Sequence, residues 1–292
     1  MKEPRYIRAK SVDQAIDALR DAEGDGLVVA GGVVVGSLFN QRLAAPAVLV
    51  DISRIEGMGH ITRRSEGLTI GALATHDDIL HSPDVKAVAP LLAEIAEEVS
   101  CPRLRNRGTL GGSLCTIGGQ GDPATGLIAL GAQLQVKGRN GPRTAQLEDF
   151  YKDAFEVDLA PDEIVEAVTV PAMKPGALFA FCKLGPRNAM DWTQITASVV
   201  LEMKSGMIGD IRIGMNGVAN TPNRPRATET LIAGSKPSAI DWAAAADTLN
   251  GEISPQGDLV YSENFKRHLG LVTLRRAIER AVARTTSSGE QA

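Results

Sequence analysis

The chain has 292 residues, of which 43% are hydrophobic, 23% charged and only 4% aromatic, with a formal net charge of −4. That length supports a well-buried core and favours about two domains. The lack of a basic excess argues against nucleic acid or anionic membrane as partner, the few aromatics argue against base-stacking platforms, and no apolar run approaches the ~20 residues of a membrane-spanning helix.

In chain order, Ser11-Val12-Asp13-Gln14 reads as a capping box opening a helix with Val12, Ala15, Ile16 and Leu19 at helical spacing. Residues 27–30 read as a short buried strand that runs into Gly31-Gly32. A short helix over 36–42 and a strand over 47–50 complete a small α+β lobe, residues 1–57. A second lobe, residues 58–174, begins with a strand over 68–70. Thr75 is a helix N-cap with Asp78 three residues on, and Pro90 occupies the first position of the next helix. A glycine-dense turn spans 108–121, a helix follows over 122–130, and strands follow over 134–137 and 164–170.

Residues 171–176 carry two prolines and a glycine and read as a linker. Beyond it lie three consecutive strands, 178–183, 195–203 and 207–215, then helices over 239–249 and 262–284. Strands followed by helices predict an α+β domain over 175–292, with helices on one face of an antiparallel sheet. Residues 285–292 read as disordered.

Two turns carry the chemistry. In Leu27-Val28-Val29-Ala30-Gly31-Gly32-Val33-Val34 a strand delivers two glycines whose backbone N–H groups can converge on an anion, helped by the helix start behind them. No lysine follows, so this is not a nucleotide-hydrolysing P-loop. By itself the turn reads first as a plain strand-to-helix connection. In the second, Thr109-Leu110-Gly111-Gly112-Ser113, small and hydroxylated residues alternate, which suits phosphate or ribityl oxygens as well as it suits a tight loop. Of Arg103, Arg105 and Arg107 just upstream, at least two read as a solvated face. Gly119 to Ala124 matches a loose dinucleotide pattern, but a poor strand precedes it and Asp122 would set a carboxylate against the pyrophosphate. Asp122-Pro123 instead reads as an N-cap with proline at the first helical position, compatible with an Asp beside a hydroxyl-rich cofactor chain.

Cys101, Cys115 and Cys182 are one short of the four thiolates of an iron–sulfur cluster. Their odd number, together with a polar N-terminus lacking a signal-like apolar stretch, fits a reducing cytoplasm. His60, His76, His81 and His268 show no metal-ligand spacing.

Over residues 6–283 the sequence resembles the FAD-binding medium subunits of the molybdenum hydroxylases, the family of xanthine dehydrogenase and carbon monoxide dehydrogenase. The resemblance rests on Val28 to Gly32, Arg42-Leu43, Val50-Asp51-Ile52, Thr69 to His76, Arg105 to Ser113, Asp122, Phe181-Cys182-Lys183, Arg187, Asp191 and Arg276-Ala277. It implies a two-lobed FAD module followed by a C-terminal α+β domain. It also implies that residues 27–34 and 109–113 line the diphosphate and ribityl chain, with Asp122 touching the cofactor and Val165 and Lys183 near the isoalloxazine or its approach. The alternative for Val165 is a strand core residue, and for Lys183, on an alternating strand, a solvent-facing lysine. Two departures stand out. Val33-Val34 replaces a usual polar pair, which forgoes a side-chain hydrogen bond worth about 0.5–1.5 kcal/mol. Residues 115–121 lack the usual histidine.

The implied role is electron transfer: FAD here, with a molybdopterin centre in a large subunit and two 2Fe-2S clusters in a small one, and none of the substrate chemistry done by this chain. The implied assembly is a dimer of heterotrimers that delivers electrons to an external acceptor. No catalytic acid, base or nucleophile is assigned, because the redox chemistry belongs to the cofactor. Two other readings are a free-standing FAD oxidoreductase, favoured by turnover from the chain alone, and a scaffold that has lost FAD, favoured by a protein that stays colourless with FAD. The substrate stays open, with family breadth alone leaning toward an N-heterocycle.

Overall fold

The computed structural model of the chain describes residues 3–115, 121–187 and 193–288. The expectations for residues 116–120 and 289–292, and for Asp191, lie outside the described residues.

The first segment alternates β1 (Arg5–Arg8), α1 (Val12–Asp21), β2 (Gly26–Val29), α2 (Val33–Asn40) and β3 (Val48–Asp51). Its three strands form a parallel sheet in the order β1-β3-β2, the arrangement that helical crossovers produce. Ser11 caps α1 by accepting from the Gln14 N–H. The Gln14 side chain accepts from Lys10 N, one residue before the position a closed capping box would use. Strand β2 is half-buried, not buried as expected, because one of its faces borders a cleft. Helix α2 starts three residues before the expected 36, directly behind Gly32, whose φ of 75° lets the chain turn without a Cβ penalty. Asp51 ends β3 buried among Ser53 N, Tyr6 Oη and Arg8 Nε. Burial alone would raise its carboxyl, but these donors outweigh that and hold it below the ordinary range.

The second segment continues with β4 (Ile61–Arg64), β5 (Gly67–Gly71), α3 (His76–His81), α4 (Pro83–Val88), α5 (Pro90–Glu98), α6 (Pro102–Arg105), α7 (Leu110–Cys115) and α8 (Asp122–Leu130). After these come β6 (Gln133–Gly138), β7 (Gly141–Gln146), α9 (Leu147–Phe150), β8 (Tyr151–Asp153), β9 (Glu156–Val157) and β10 (Ile164–Pro171). Five strands form an antiparallel sheet, β4-β5-β10-β6-β7. Thr75 and Asp78 make the full reciprocal capping box of α3, and Pro90 opens α5 as its sequence requires. The glycine-dense stretch is partly helical, since α7 occupies 110–115. The buried apolar side chains of the first two segments form one continuous core.

The third segment holds the antiparallel sheet β11 (Leu178–Leu184), β12 (Ile195–Lys204) and β13 (Met207–Asn216), then α10 (Arg226–Ile232), α11 (Trp242–Glu252) and α12 (Glu263–Ser288). Helix α12 therefore runs past residue 284 into the segment expected to be disordered. Ala197, Val199 and Leu201 of β12 pack in a second core with Leu274, Ala277 and Ile278 of α12. The other face of this sheet is not solvent. It packs on α8, where Thr125 and Ser198 share a buried hydroxyl hydrogen bond of 2.8 Å. The approach is so close that a Cβ at Gly214 would lie 2.0 Å from the Thr125 carbonyl oxygen.

Candidate functional site

A cleft of about 370 Å³ opens where the three segments meet. One wall is the first glycine turn. Val28 and Ala30 reach the cleft, whereas Leu27 and Val29 do not, as the two-residue period of a strand dictates. Gly31, Gly32, Val33 and Val34 border it. Gly32 gives α2 no side-chain cap. The first-turn N–H groups of an α-helix have no acceptor within the helix, so those of Val33 to Val35 present a partial positive charge beside the cleft. The valine side chains supply only apolar wall.

The opposite wall is the second turn, and it is built differently. The Leu110 N–H donates to Ala74 O, Gly111 N to Ala72 O, and Ser113 N to Thr109 O. Thr109 Oγ1 accepts from Gly112 N at 3.2 Å. The first two amides stitch the turn to residues 72–74, and the other two close it on Thr109. What the turn offers the cleft is side-chain hydroxyl and bare glycine surface: Thr109, Gly111, Gly112 and Ser113 all border it, while Leu110 is 1% exposed and belongs to the core.

The two turns touch. A Cβ at Gly31 would fall 1.6 Å from the Arg107 carbonyl oxygen, and the Arg107 guanidinium donates twice to Gly31 O at 3.3 Å. Arg105 gathers the carbonyls of Glu97, Val99 and Ser100 at 3.1–3.3 Å. Of the three arginines, only Arg103, exposed and without such a bond among the described residues, fits the solvated reading expected for at least two; Arg105 and Arg107 fasten backbone.

At the far end of the cleft Asp122 is the first residue of α8, capped by Gly121, so its carboxylate is not the cap that sequence alone suggested. It reaches instead to the third segment. Lys183 Nζ on β11 donates to Asp122 Oδ2 at 2.6 Å and to Glu98 O at 3.0 Å, and Thr193 Oγ1 donates to Asp122 Oδ1 at 2.5 Å. The Lys183 and Asp122 side chains are 8% and 7% exposed, so Lys183 is not a solvent-facing lysine. Val165 of β10 is both core residue and cleft wall.

Sequence reading assigned no role to His76, Thr193 or Cys115, which also border the cleft. Thr193 has no motif to announce it. His76 closes the stretch Thr69 to His76, and its place directly after a capping threonine is the signal that the sequence offers. Its Nε2 is 2.8 Å from Ser113 Oγ, and burial, then repulsion from Arg105, lowers its pKa to about 4. Burial pushes the Cys115 thiol up to about 12, so it stays protonated. The walls thus combine helix-start amides, hydroxyls, two carboxylates each neutralised by a basic partner (Asp122 by Lys183, Glu163 by Arg143) and apolar surface. An anionic, hydroxylated ligand with a flat apolar end matches that set; nucleophilic chemistry by the chain itself does not.

This architecture and cleft define a flavin-binding module fused to a C-terminal α+β domain. Residues 2–173 match the family model for the FAD binding domain in molybdopterin dehydrogenase, and residues 180–281 match the CO dehydrogenase flavoprotein C-terminal domain. The chain is 31% identical to the carbon monoxide dehydrogenase medium chain of Hydrogenophaga pseudoflava over 279 residues, 96% of this chain and 97% of the relative. It is 30% identical to the nicotine 6-hydroxylase medium subunit of Paenarthrobacter nicotinovorans, covering 96% and 98%. Among solved structures, carbon monoxide dehydrogenase from Hydrogenophaga pseudoflava superposes with a TM-score of 0.92 at 32% identity, covering 97% of this chain and 99% of that one. Quinoline 2-oxidoreductase from Pseudomonas putida 86 superposes at 0.88 and 26%, covering 96% and 98%. The chain belongs to the FAD-binding medium subunits of the molybdenum hydroxylases and is an oxidoreductase component, as its sequence signature indicates.

Proposed function

We propose that the cleft holds FAD with its diphosphate at the start of α2 and its ribityl chain along Thr109 to Ser113. In this reading Val165, Asp122 and Lys183 border the flavin ring or its approach. The residues 27–34, 109–113, 122, 165 and 183 then act together, with Leu27, Val29 and Leu110 contributing through backbone and core. The observation that carries the reading is the convergence of both glycine turns and the uncapped α2 N-terminus on one cleft. When bound, FAD supplies one- and two-electron redox chemistry. The chain's own share is positional. The α2 amides offset phosphate charge, and the Gly31–Arg107 contact fixes the separation of the two walls. The Asp122–Lys183 pair keeps the far end neutral, and Val28, Ala30 and Val165 exclude water.

The lobes would be 1–57 and 58–174, joined in one core, with 175–292 as the C-terminal domain. The medium-subunit assignment supports a wider assembly in which a large molybdopterin subunit oxidises substrate and a small subunit with two 2Fe-2S clusters relays electrons to this chain. The whole forms a dimer of heterotrimers in the cytoplasm and serves an external acceptor. Relatives named for carbon monoxide and for quinoline share this architecture, which favours substrate choice residing in another subunit. Among the described residues no helix is long and apolar enough to cross a membrane. The test is the absorbance spectrum of the purified chain before and after adding FAD. Flavin bands, with FAD rather than FMN released on denaturation, are expected. No uptake by either the chain or its native complex would leave a structural subunit.

A further inference from the structure

His76 is 3% exposed, borders the cleft, and has one partnered ring nitrogen. Nε2 lies 2.8 Å from Ser113 Oγ, while Nδ1 is buried with no hydrogen-bond partner among the described residues. The His76 backbone N–H is tied to Gly108 O at 3.1 Å, and a Cβ at Gly108 would lie 3.1 Å from His76 Cδ2. Burial and Arg105 oppose a second proton, so the ring is neutral and carries one.

Where that proton sits decides what Ser113 can do. On Nδ1 it would be a buried orphan N–H, and Nε2 would take the only hydrogen of Ser113, leaving the hydroxyl able only to accept from the cleft. On Nε2 it is donated to Ser113 Oγ, and the hydroxyl hydrogen is free to point into the cleft. Buried N–H groups without partners are the rarer defect, and the second arrangement gives the cleft a donor where an oxyanion needs one.

We propose that His76 is a positioning residue that donates from Nε2 to Ser113 Oγ and so turns the Ser113 hydroxyl into a donor toward a phosphate or ribityl oxygen of FAD. This rests on the FAD reading above. It also gives the second turn a way to bind the cofactor although the amides of Leu110, Gly111 and Ser113 are engaged elsewhere. The ligand chemistry is a hydroxyl-rich phosphoanhydride, and the recognition is a single oriented hydroxyl.

Two measurements test it. First, long-range proton–nitrogen NMR of the flavin-free chain with labelled histidine, with His76 identified by its loss in His76→Gln, should show the Nε2–H tautomer; an Nδ1–H tautomer overturns the proposal. Second, FAD titrations compare variants. Ser113→Ala and His76→Leu should each weaken binding about tenfold, as loss of a bond to a charged group does, and the double variant should be no worse than either. His76→Gln, whose amide can donate from a similar position, should stay within about threefold of the parent chain. Independent effects multiplying to about a hundredfold, or a His76→Gln as weak as His76→Leu, overturn it. No FAD uptake by the parent chain sinks the FAD reading itself, and the tautomer then still decides for or against the His76–Ser113 arrangement.

Discussion

Gly31 shows why a glycine pair after a strand is ambiguous in sequence. Only Gly32 needs the left-handed conformation; Gly31 is required by the backbone of Arg107 lying where its Cβ would be. Gly31→Ala must therefore push the two turns apart, since a carbonyl oxygen at 1.6 Å cannot yield as a flexible side chain would. The expected cost is at least about 2 kcal/mol of stability, seen in urea melts, together with a loss of FAD affinity in titration. Unchanged melts would mean that the two turns do not touch. His76 predicts a pH dependence. Its folded pKa, about 4, lies below the ordinary 6.5, so between those values the unfolded chain binds a proton that the folded chain does not. Stability is then full above pH 6.5, falls as pH drops from 6.5 toward 4, and loses nothing more from this group below 4. The loss is about 3 kcal/mol by linkage. Asp51 and Glu163, held below their ordinary range, add acid sensitivity of their own, so the diagnostic is the difference from His76→Gln. Melts at pH 7 and pH 4.5 should converge in that variant by most of this amount, and equal acid sensitivity in both chains would refute a buried neutral His76.

Among the elements, those with a one-sided apolar pattern were legible: α1, α5, β5, β10 and the meander β11 to β13. The strands that sequence did not reveal are β1 (Arg-Tyr-Ile-Arg), β4, β7 and the short pair β8-β9. β1, β4 and β7 are sheet edges, covered on fewer sides, and their residues need not alternate. The helices not revealed, α4, α6, α7, α9 and α10, span seven residues or fewer, too short for periodicity to declare itself. A helix start with a side-chain cap reads well, because a cap is a local event, whereas α2, capped by Gly32 without a side chain, starts before the expected position, and the cap of α8 is Gly121 rather than the expected Asp122. Thr75 illustrates this: it accepts from Asp78 N, donates to Asp78 Oδ2 at 2.6 Å, and its own N–H also reaches that carboxylate. Thr75→Ala should cost about 1 kcal/mol. Because α3 begins at His76, the same change should loosen the histidine beside Ser113, measurable as faster amide exchange at residues 76–79. Exchange rates equal to the parent's would mean that the cap does not hold this helix start.

At the scale of the molecule, the cleft is completed by a segment that the glycine signatures do not touch. Strand β11 is fixed to the flavin module through Glu94 of α5, whose carboxylate accepts from Phe181 N at 2.9 Å and pairs with Arg284 of α12. Two residues on, Lys183 meets Asp122, and Thr193 meets it from the approach to β12. The pair's chemistry was legible only through the family resemblance, because nothing in a strand or a helix start says that one will find the other across 61 residues. Its energetics follow from burial. Removing one partner of a buried ion pair strands the other charge, at about 3–5 kcal/mol, whereas replacing both with apolar groups of similar size is often close to neutral. Lys183→Met should therefore lower the stability of the flavin-free chain by about 3 kcal/mol, and Lys183→Met with Asp122→Leu should recover more than half of that. If the pair also serves the cofactor, the double variant should regain its melting curve without regaining FAD affinity. Recovery of both would make the pair a structural latch alone, and recovery of neither would mean that Thr193 and Glu98 hold Asp122 and Lys183 in a network too coupled to be replaced by apolar packing.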